Sequence, residues 1–203
     1  MKRFAAFALC LGLAFMLLPL AAGAVTEKKS GTEYPNEITV GTGDQSVALV
    51  ATGVGLREKT FMKVDVYTIV SYVHDQAKFE GDAGEALIML NAPKRLQLDL
   101  RRGFSRDKLI NAFVEGIEAN YEDLTPLEAY IATFSAYFTR DAQEGDKIIF
   151  HFCPAVGLTT ELNGEEIGLI ENVQFAQALW SVWFGKKPAS GDLKKALLAE
   201  IKS

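Results

Sequence analysis

The chain has 203 residues, 49% of them hydrophobic, and a formal charge of −5 at pH 7. That length suits one domain with a sizeable core. An acidic chain without a basic stripe argues against nucleic acid or an anionic lipid surface as partner.

Lys2 and Arg3 precede an apolar run from Phe4 to Leu20, and Ala22-Gly23-Ala24 is a small-x-small cleavage pattern. Residues 1–24 read as a secretory signal, which leaves 25–203 as a single domain, periplasmic or secreted, with no stable membrane anchor. The run barely reaches spanning length. Removing Lys2 and Arg3 takes the formal charge from −5 to −7. Cys153 is then the sole cysteine, so no internal disulfide forms. His74 and His151 stand at no zinc-ligand spacing, and neither a metal nor another cofactor is expected.

Val25 to Asn36 is polar and reads as loose. Glu37 to Val40 is a short strand, and Gly41 to Asp44 a turn. Val47 to Val54 is an apolar strand closing on Gly53-Val54-Gly55, with Arg57 in the glycine-rich turn that follows. Thr60 to Val73 is the longest strand-like run. Its even positions, Met62 to Tyr72, are nearly all apolar or β-branched, which fits a face under a packed layer. Its odd positions include Lys63, Asp65 and Tyr67, and the two charges would be too costly to bury unpaired. A binding site is therefore expected on this mixed face, with Arg57 at its edge.

Glu85 to Leu90 is apolar and fits helix or strand. Arg95 to Leu100 alternates as a half-buried strand with Leu96, Leu98 and Leu100 inward. Ser105 caps a helix whose stripe is Leu109, Ile110, Phe113, Val114 and Ile117, and Asn111 lies off its centre. Thr125-Pro126 opens a second helix. Lys147 to Phe152, Leu158 to Leu162 and Glu165 to Ile170 are strands, the last two joined by the hairpin signal Asn163-Gly164. Asn172 caps a third helix that Gly185 stops, and Ser190 starts the last. Strands first and helices interspersed late give an α+β class, one large sheet with helices on one face.

No nucleophile–histidine pair is apparent. Gly53-Val54-Gly55 lacks the third glycine and the following helix of a dinucleotide fingerprint. Glu165 and Glu166 point to opposite faces of a strand and cannot act as a carboxylate pair. Arg57, Lys63, Asp65 and Tyr67 remain as candidates, a mixed lining suited to a small amphiphilic ligand. An internal ion pair of Arg57 with Asp65 is the alternative.

Gly53-Val54-Gly55-Leu56-Arg57, then Phe61-Met62-Lys63-Val64 on a long strand, resembles the chalcone isomerase-like family, in its bacterial, exported branch. So do Phe104-Ser105 with Asn111, and Ile170-Glu171-Asn172 leading to Gly185-Lys186 and Pro188-Ala189. The resemblance implies an open-faced β-sandwich: a large antiparallel sheet, a helix layer, and a cleft between them. The family holds isomerases that close a chalcone to a flavanone, and non-catalytic relatives that bind fatty acids. By resemblance, the isomerases' activating arginine falls on Arg57 and their asparagine on Asn111. Their threonine falls on Asp65, their tyrosine on Phe104, and a further hydroxyl on or near Glu165. A carboxylate at Asp65 would repel a developing enolate, Phe104 has no proton to donate, and Glu165 adds another negative charge. Losing one oxyanion donor commonly costs about 10²–10³ in rate. The leading expectation is thus a non-catalytic protein binding a small apolar or amphiphilic molecule, a fatty acid or flavonoid-like compound. Arg57 anchors the polar end, Asn111 and Tyr67 assist, and Asp65, Phe104 and Glu165 line the site. The alternatives are an isomerase acting on an enone of chalcone type, and a structural or partner-binding envelope protein.

Overall fold

The computed structural model describes residues 23–41, 46–59 and 64–201. Seven strands form one antiparallel sheet whose spatial order equals their chain order. They are β3 (Glu37–Val40), β4 (Val47–Lys59), β5 (Val64–His74), β6 (Lys94–Leu100), β7 (Lys147–Cys153), β8 (Gly157–Leu162) and β9 (Glu165–Ile170). The remaining pair, β1 (Ala24–Thr26) and β2 (Glu33–Pro35), is a separate small hairpin.

The helices are insertions in this meander and do not gather after the strands. Helix α1 (Ala83–Met89) separates β5 from β6, and α2 (Arg106–Glu118) and α3 (Glu128–Tyr137) separate β6 from β7. Helices α4 (Val173–Phe184) and α5 (Gly191–Leu197) follow β9. Asn172 Oδ1 accepts from Phe175 N at 2.7 Å and Ser190 Oγ from Leu193 N at 3.3 Å, as their cap positions require. The undecided segment at 85–90 is helical because Asp82 Oδ1 accepts from Glu85 N at 2.8 Å and fixes the first turn.

The main core lies between the sheet and the helix layer. Helix α4 is its centre: Phe175, Leu179, Trp180, Trp183 and Phe184 are all buried, wider than a one-sided stripe. Leu96, Leu98 and Leu100 point into it as the alternation dictates, and so does Lys94, one step earlier in the same parity. Its ammonium donates to the carbonyls of Leu87 and Ile88 at 2.9 and 2.8 Å, closing the end of α1. It also sits over the rings of Phe152 and Trp180.

Two expectations change. On β5 the odd residues Ile69 and Val73 belong to the main core, whereas Val70 and Tyr72 form a smaller cluster on the outer face. The β-branched even face therefore packs under the N-terminal hairpin rather than under the helices. That hairpin is the segment read as loose. The Glu27 carboxylate accepts from the backbone N–H of Lys29 and Ser30, which shapes its turn, and Tyr34 from β2 is only 4% exposed against the sheet. Strands of three residues are too short to announce themselves by alternation. The expected signal segment, 1–24, lies outside the described residues except for Gly23 and Ala24. No described helix is long and apolar enough to cross a membrane.

The far end of the sheet is fixed by one carboxylate. Asp146 takes a two-pronged contact from Arg140 at 2.8 and 3.1 Å, and accepts from Gln143 N and Asn163 Nδ2, both at 2.8 Å. Asn163 and Gly164 both have positive φ, 54° and 85°, as a two-residue hairpin turn demands. The Arg140 guanidinium holds the Asp146 carboxyl down to about 2, and the two amide donors add to this against its burial. A depressed folded pKa stabilises above the unfolded value of 3.8 and loses that contribution as pH falls toward 2. Asp146→Asn is expected to cost about 2 kcal/mol at pH 7. In urea titrations across pH it should also flatten the decline between 3.8 and 2.

Candidate functional site

β4 does not end at its glycines. It runs on to Lys59, so Arg57 is a strand residue paired with Tyr67 of β5 and not part of a turn. The next pair is Glu58 with Asp65, which leaves Val66 as an extra residue on β5. Such a bulge breaks the two-residue alternation of side chains. Arg57 and Tyr67 thus face the helices, while Glu58 and Asp65 share the outer face. There Glu58 pairs with Lys29, whose ammonium pKa Glu58 and, more weakly, Asp65 raise. The Arg57–Asp65 ion pair, the alternative to a ligand site, is not formed: Arg57 makes no ion pair among the described residues, and its Nη1 donates to the Glu58 carbonyl at 2.6 Å.

On the helix side lies a cleft of about 560 Å³. Its floor is Tyr67, Leu98 and Leu100 of β5 and β6, and one wall is the Leu109–Phe113–Gly116 face of α2. Val182, Trp183 and the Pro188-Ala189 segment after α4 close the other side. Gly116 lets the two helices approach, since a Cβ there would lie 2.8 Å from Val182 Cγ1. Four cations, Arg57, Lys59, Lys108 and Lys187, line this space against one carboxylate, Glu115. In a chain of net negative charge, that is a local field selecting anions.

The polar centre is small. Trp183 Nε1 donates to the Tyr67 hydroxyl oxygen at 3.0 Å, which leaves the Tyr67 proton to be given elsewhere. Burial pushes the Tyr67 pKa up, opposed by the Trp183 N–H and by Arg57, so the phenol is a neutral donor at pH 7. Arg57 and Tyr67 together offer an oxyanion a charged donor and a neutral one in a cleft whose other lining residues are mostly apolar.

Three sequence candidates meet at this cleft: Arg57, Tyr67 and Phe104. Asp65 does not, because of the bulge. Asn111 is exposed, on the side of α2 away from the Leu109–Phe113 face, and Glu165 is exposed on the edge strand β9, four strands from β5. The likeness that assigned them a site matched residues in sequence, and neither side chain is among those lining the cleft. Lys63 lies outside the described residues. Lys108, Lys187 and Trp183 also line the cleft, and no spacing in the sequence marks them as site residues.

Asn120, at the end of α2, is another residue the sequence reading passed over. Its side chain donates to the carbonyls of Gly116, Ser181 and Lys187 and accepts from Lys187 N at 2.9 Å. It thereby holds the exit of α4, and with it Pro188 and Ala189, against the cleft. Among the described residues no group of three or more acidic, histidine or cysteine side chains could hold a metal ion.

The sequence pattern of chalcone isomerase-like proteins matches residues 26–199. The chain belongs to the chalcone isomerase-like family. No curated protein sequence matches it. Among solved structures it is similar to the fatty-acid binding protein AtFAP1 of Arabidopsis thaliana, with a TM-score of 0.68 and 18% identity over 87% of this chain and 96% of that one. At that identity the likeness establishes a shared fold, the α+β arrangement of an antiparallel sheet under helices. In this chain Arg57 and the phenyl ring of Phe104 line the cleft, and Asp65 does not reach it.

Proposed function

We propose that this protein is a non-catalytic carrier or sensor whose cleft holds a small amphiphilic anion, with a fatty acid the leading class and a flavonoid-like phenolate the next. The observation that carries this reading is the Arg57–Tyr67 donor pair set in a mostly apolar, lysine-bordered cleft of about 560 Å³, inside the ~300–1,000 Å³ range of small-molecule sites. A carboxylate or phenolate head accepts from the guanidinium and the phenol, and the hydrocarbon lies along Leu98, Leu100, Phe113 and Val182. The match to a protein described as fatty-acid binding supports the same class. Ring closure of a chalcone needs several donors converging on an enolate. This cleft offers Arg57 and Tyr67, while Phe104 has no proton to give.

The test is titration of the purified protein with oleate, alongside a chalcone followed by absorbance. Saturable oleate binding with chalcone loss no faster than in buffer is expected. Absence of oleate binding, or chalcone turnover abolished by Arg57→Ala, would overturn the reading. Export is part of the proposal, supported by Lys2, Arg3, the apolar run after them and Ala22-Gly23-Ala24. The intact mass of the exported chain should correspond to an N-terminus at Val25, and retention of Met1 would refute it.

A further inference from the structure

The sheet has a second cavity, on the face turned away from the helices. It encloses about 680 Å³ between the N-terminal hairpin, β3 and the outer faces of β5 to β7. Cross-strand register sets Tyr72, Arg95 and His151 side by side on that face. Thr68, Asp99 and Lys147 form a second polar row four residues away along each strand.

Most hydrogen-bonding capacity here is already used. Asp99 accepts from Tyr34 Oη at 2.7 Å and Gln97 Nε2 at 3.0 Å, and pairs with Lys147 at 3.7 Å. With its proton on Asp99, Tyr34 Oη accepts from Thr68 Oγ1 at 2.7 Å. Tyr72 Oη donates to the Pro35 carbonyl at 2.9 Å. Arg101 also borders the space but is exposed, which leaves Arg95 as the half-buried exception. Its Nε is fully buried without a hydrogen-bond partner, and it forms no ion pair among the described residues. The neighbouring His151 Nδ1 is buried and unpartnered as well. A buried donor left without a partner is destabilising, the more so on a charged group, so the wall of this cavity carries an unmet donor at Arg95 Nε.

We propose that the outer face of the sheet carries a second ligand site, independent of the helix-side cleft, in which Arg95 binds a small organic carboxylate. The unspent capacity is donor capacity, and a guanidinium fork matches a carboxylate in two parallel hydrogen bonds. Tyr34, Ile38 and Tyr72 supply an apolar and aromatic wall for the body of the ligand. Asp99 and Glu33 border the same space, which disfavours a doubly charged phosphate and admits a monoanion. The two sites lie on opposite faces of one sheet, and Leu100 is the one residue common to their linings.

The experiment is a benzoate titration of the isotopically labelled chain followed by amide NMR, repeated on Arg95→Gln, Arg95→Lys and Arg57→Ala. Saturable shifts at Thr68, Tyr72, Gln97 and Asp99 are expected. Read at these outer-face amides, Arg95→Gln should bind at least tenfold more weakly and Arg95→Lys at an intermediate level, while Arg57→Ala alters only shifts on the helix side. The proposal fails if the wild-type shifts are absent or confined to α2 and α4, or if folded Arg95→Gln binds like wild type. The wild-type shift map decides the matter even if the Arg95 variants do not fold, and oleate binding in the cleft is unaffected by either result.

Discussion

Arg57→Ala lowers oleate affinity about ten- to hundredfold while leaving the melting temperature within a degree or two of wild type. The size follows from the worth of a hydrogen bond to a charged group, about 1.5–3 kcal/mol, at 1.4 kcal/mol per tenfold in affinity. The small effect on stability follows from the position: Arg57 lines the cleft, and among the described residues its side chain bonds only to the carbonyl of its own neighbour. Arg57→Lys should recover part of the loss, because it restores the charge without the fork. Tyr67→Phe should weaken binding only a few-fold, as a neutral donor is worth about 0.5–1.5 kcal/mol. It should also destabilise, since Trp183 Nε1 then loses its acceptor. Isothermal titration beside thermal denaturation separates the two effects. Wild-type affinity in Arg57→Ala would move the head group elsewhere along the cleft, to Lys59, Lys108 or Lys187.

These residues also mark how far the sequence could be read. The strand alternation at Leu96, Leu98 and Leu100, the Asn172 and Ser190 caps and the Asn163-Gly164 turn are local signals, and local physics decides them. Tyr67 was legible as a cleft-facing residue because a long strand with a mixed face has to put its polar members somewhere, whereas Arg57, read as part of a turn, faces the cleft because β4 runs on through it. Asp65 was assigned to that face by counting in twos, and a single extra residue at Val66 reversed it. No residue type at 66 betrays a bulge, since valine is at home in any strand. Lys94 falls in the same parity as the inward leucines, yet its burial depends on the carbonyls at the end of α1, a contact made only in three dimensions. Arg95, one step on, reads as an ordinary outward arginine until the N-terminal hairpin covers that face. Asn120 and Lys187 depend likewise on α2 and α4 meeting, which no spacing along either helix encodes.

The glycines of the Gly53-Val54-Gly55 motif have a structural reason that leads to the largest stability effect expected here. Gly53→Ala should lower the melting temperature by about 10 °C or more. The backbone at Gly53 has φ +153°, which a side chain tolerates poorly, and a Cβ would fall 2.1 Å from the Ala196 carbonyl oxygen and 2.7 Å from Leu197 C. Both are backbone atoms of α5, which cannot swing aside as a side chain does. The end of that helix is stitched to β4 at this point: Thr52 Oγ1 donates to the Leu197 carbonyl at 2.8 Å, and Glu200 N to the Thr52 carbonyl at 3.0 Å. Relieving the clash means lifting α5, which uncovers Leu193 and Leu197, both buried, at about 1.5–3 kcal/mol each. For a domain of this size each kcal/mol moves the midpoint by roughly 2–4 °C. Gly164→Ala is the control: its φ is +85° but no atom lies within 4 Å of the added methyl, so only the backbone term of about 1 kcal/mol applies. Because Pro188 and Ala189 join α4 to α5 along the cleft, Gly53→Ala should also weaken oleate binding without touching a lining residue. A Gly53→Ala protein as stable as Gly164→Ala would show that α5 is not seated on β4 as described.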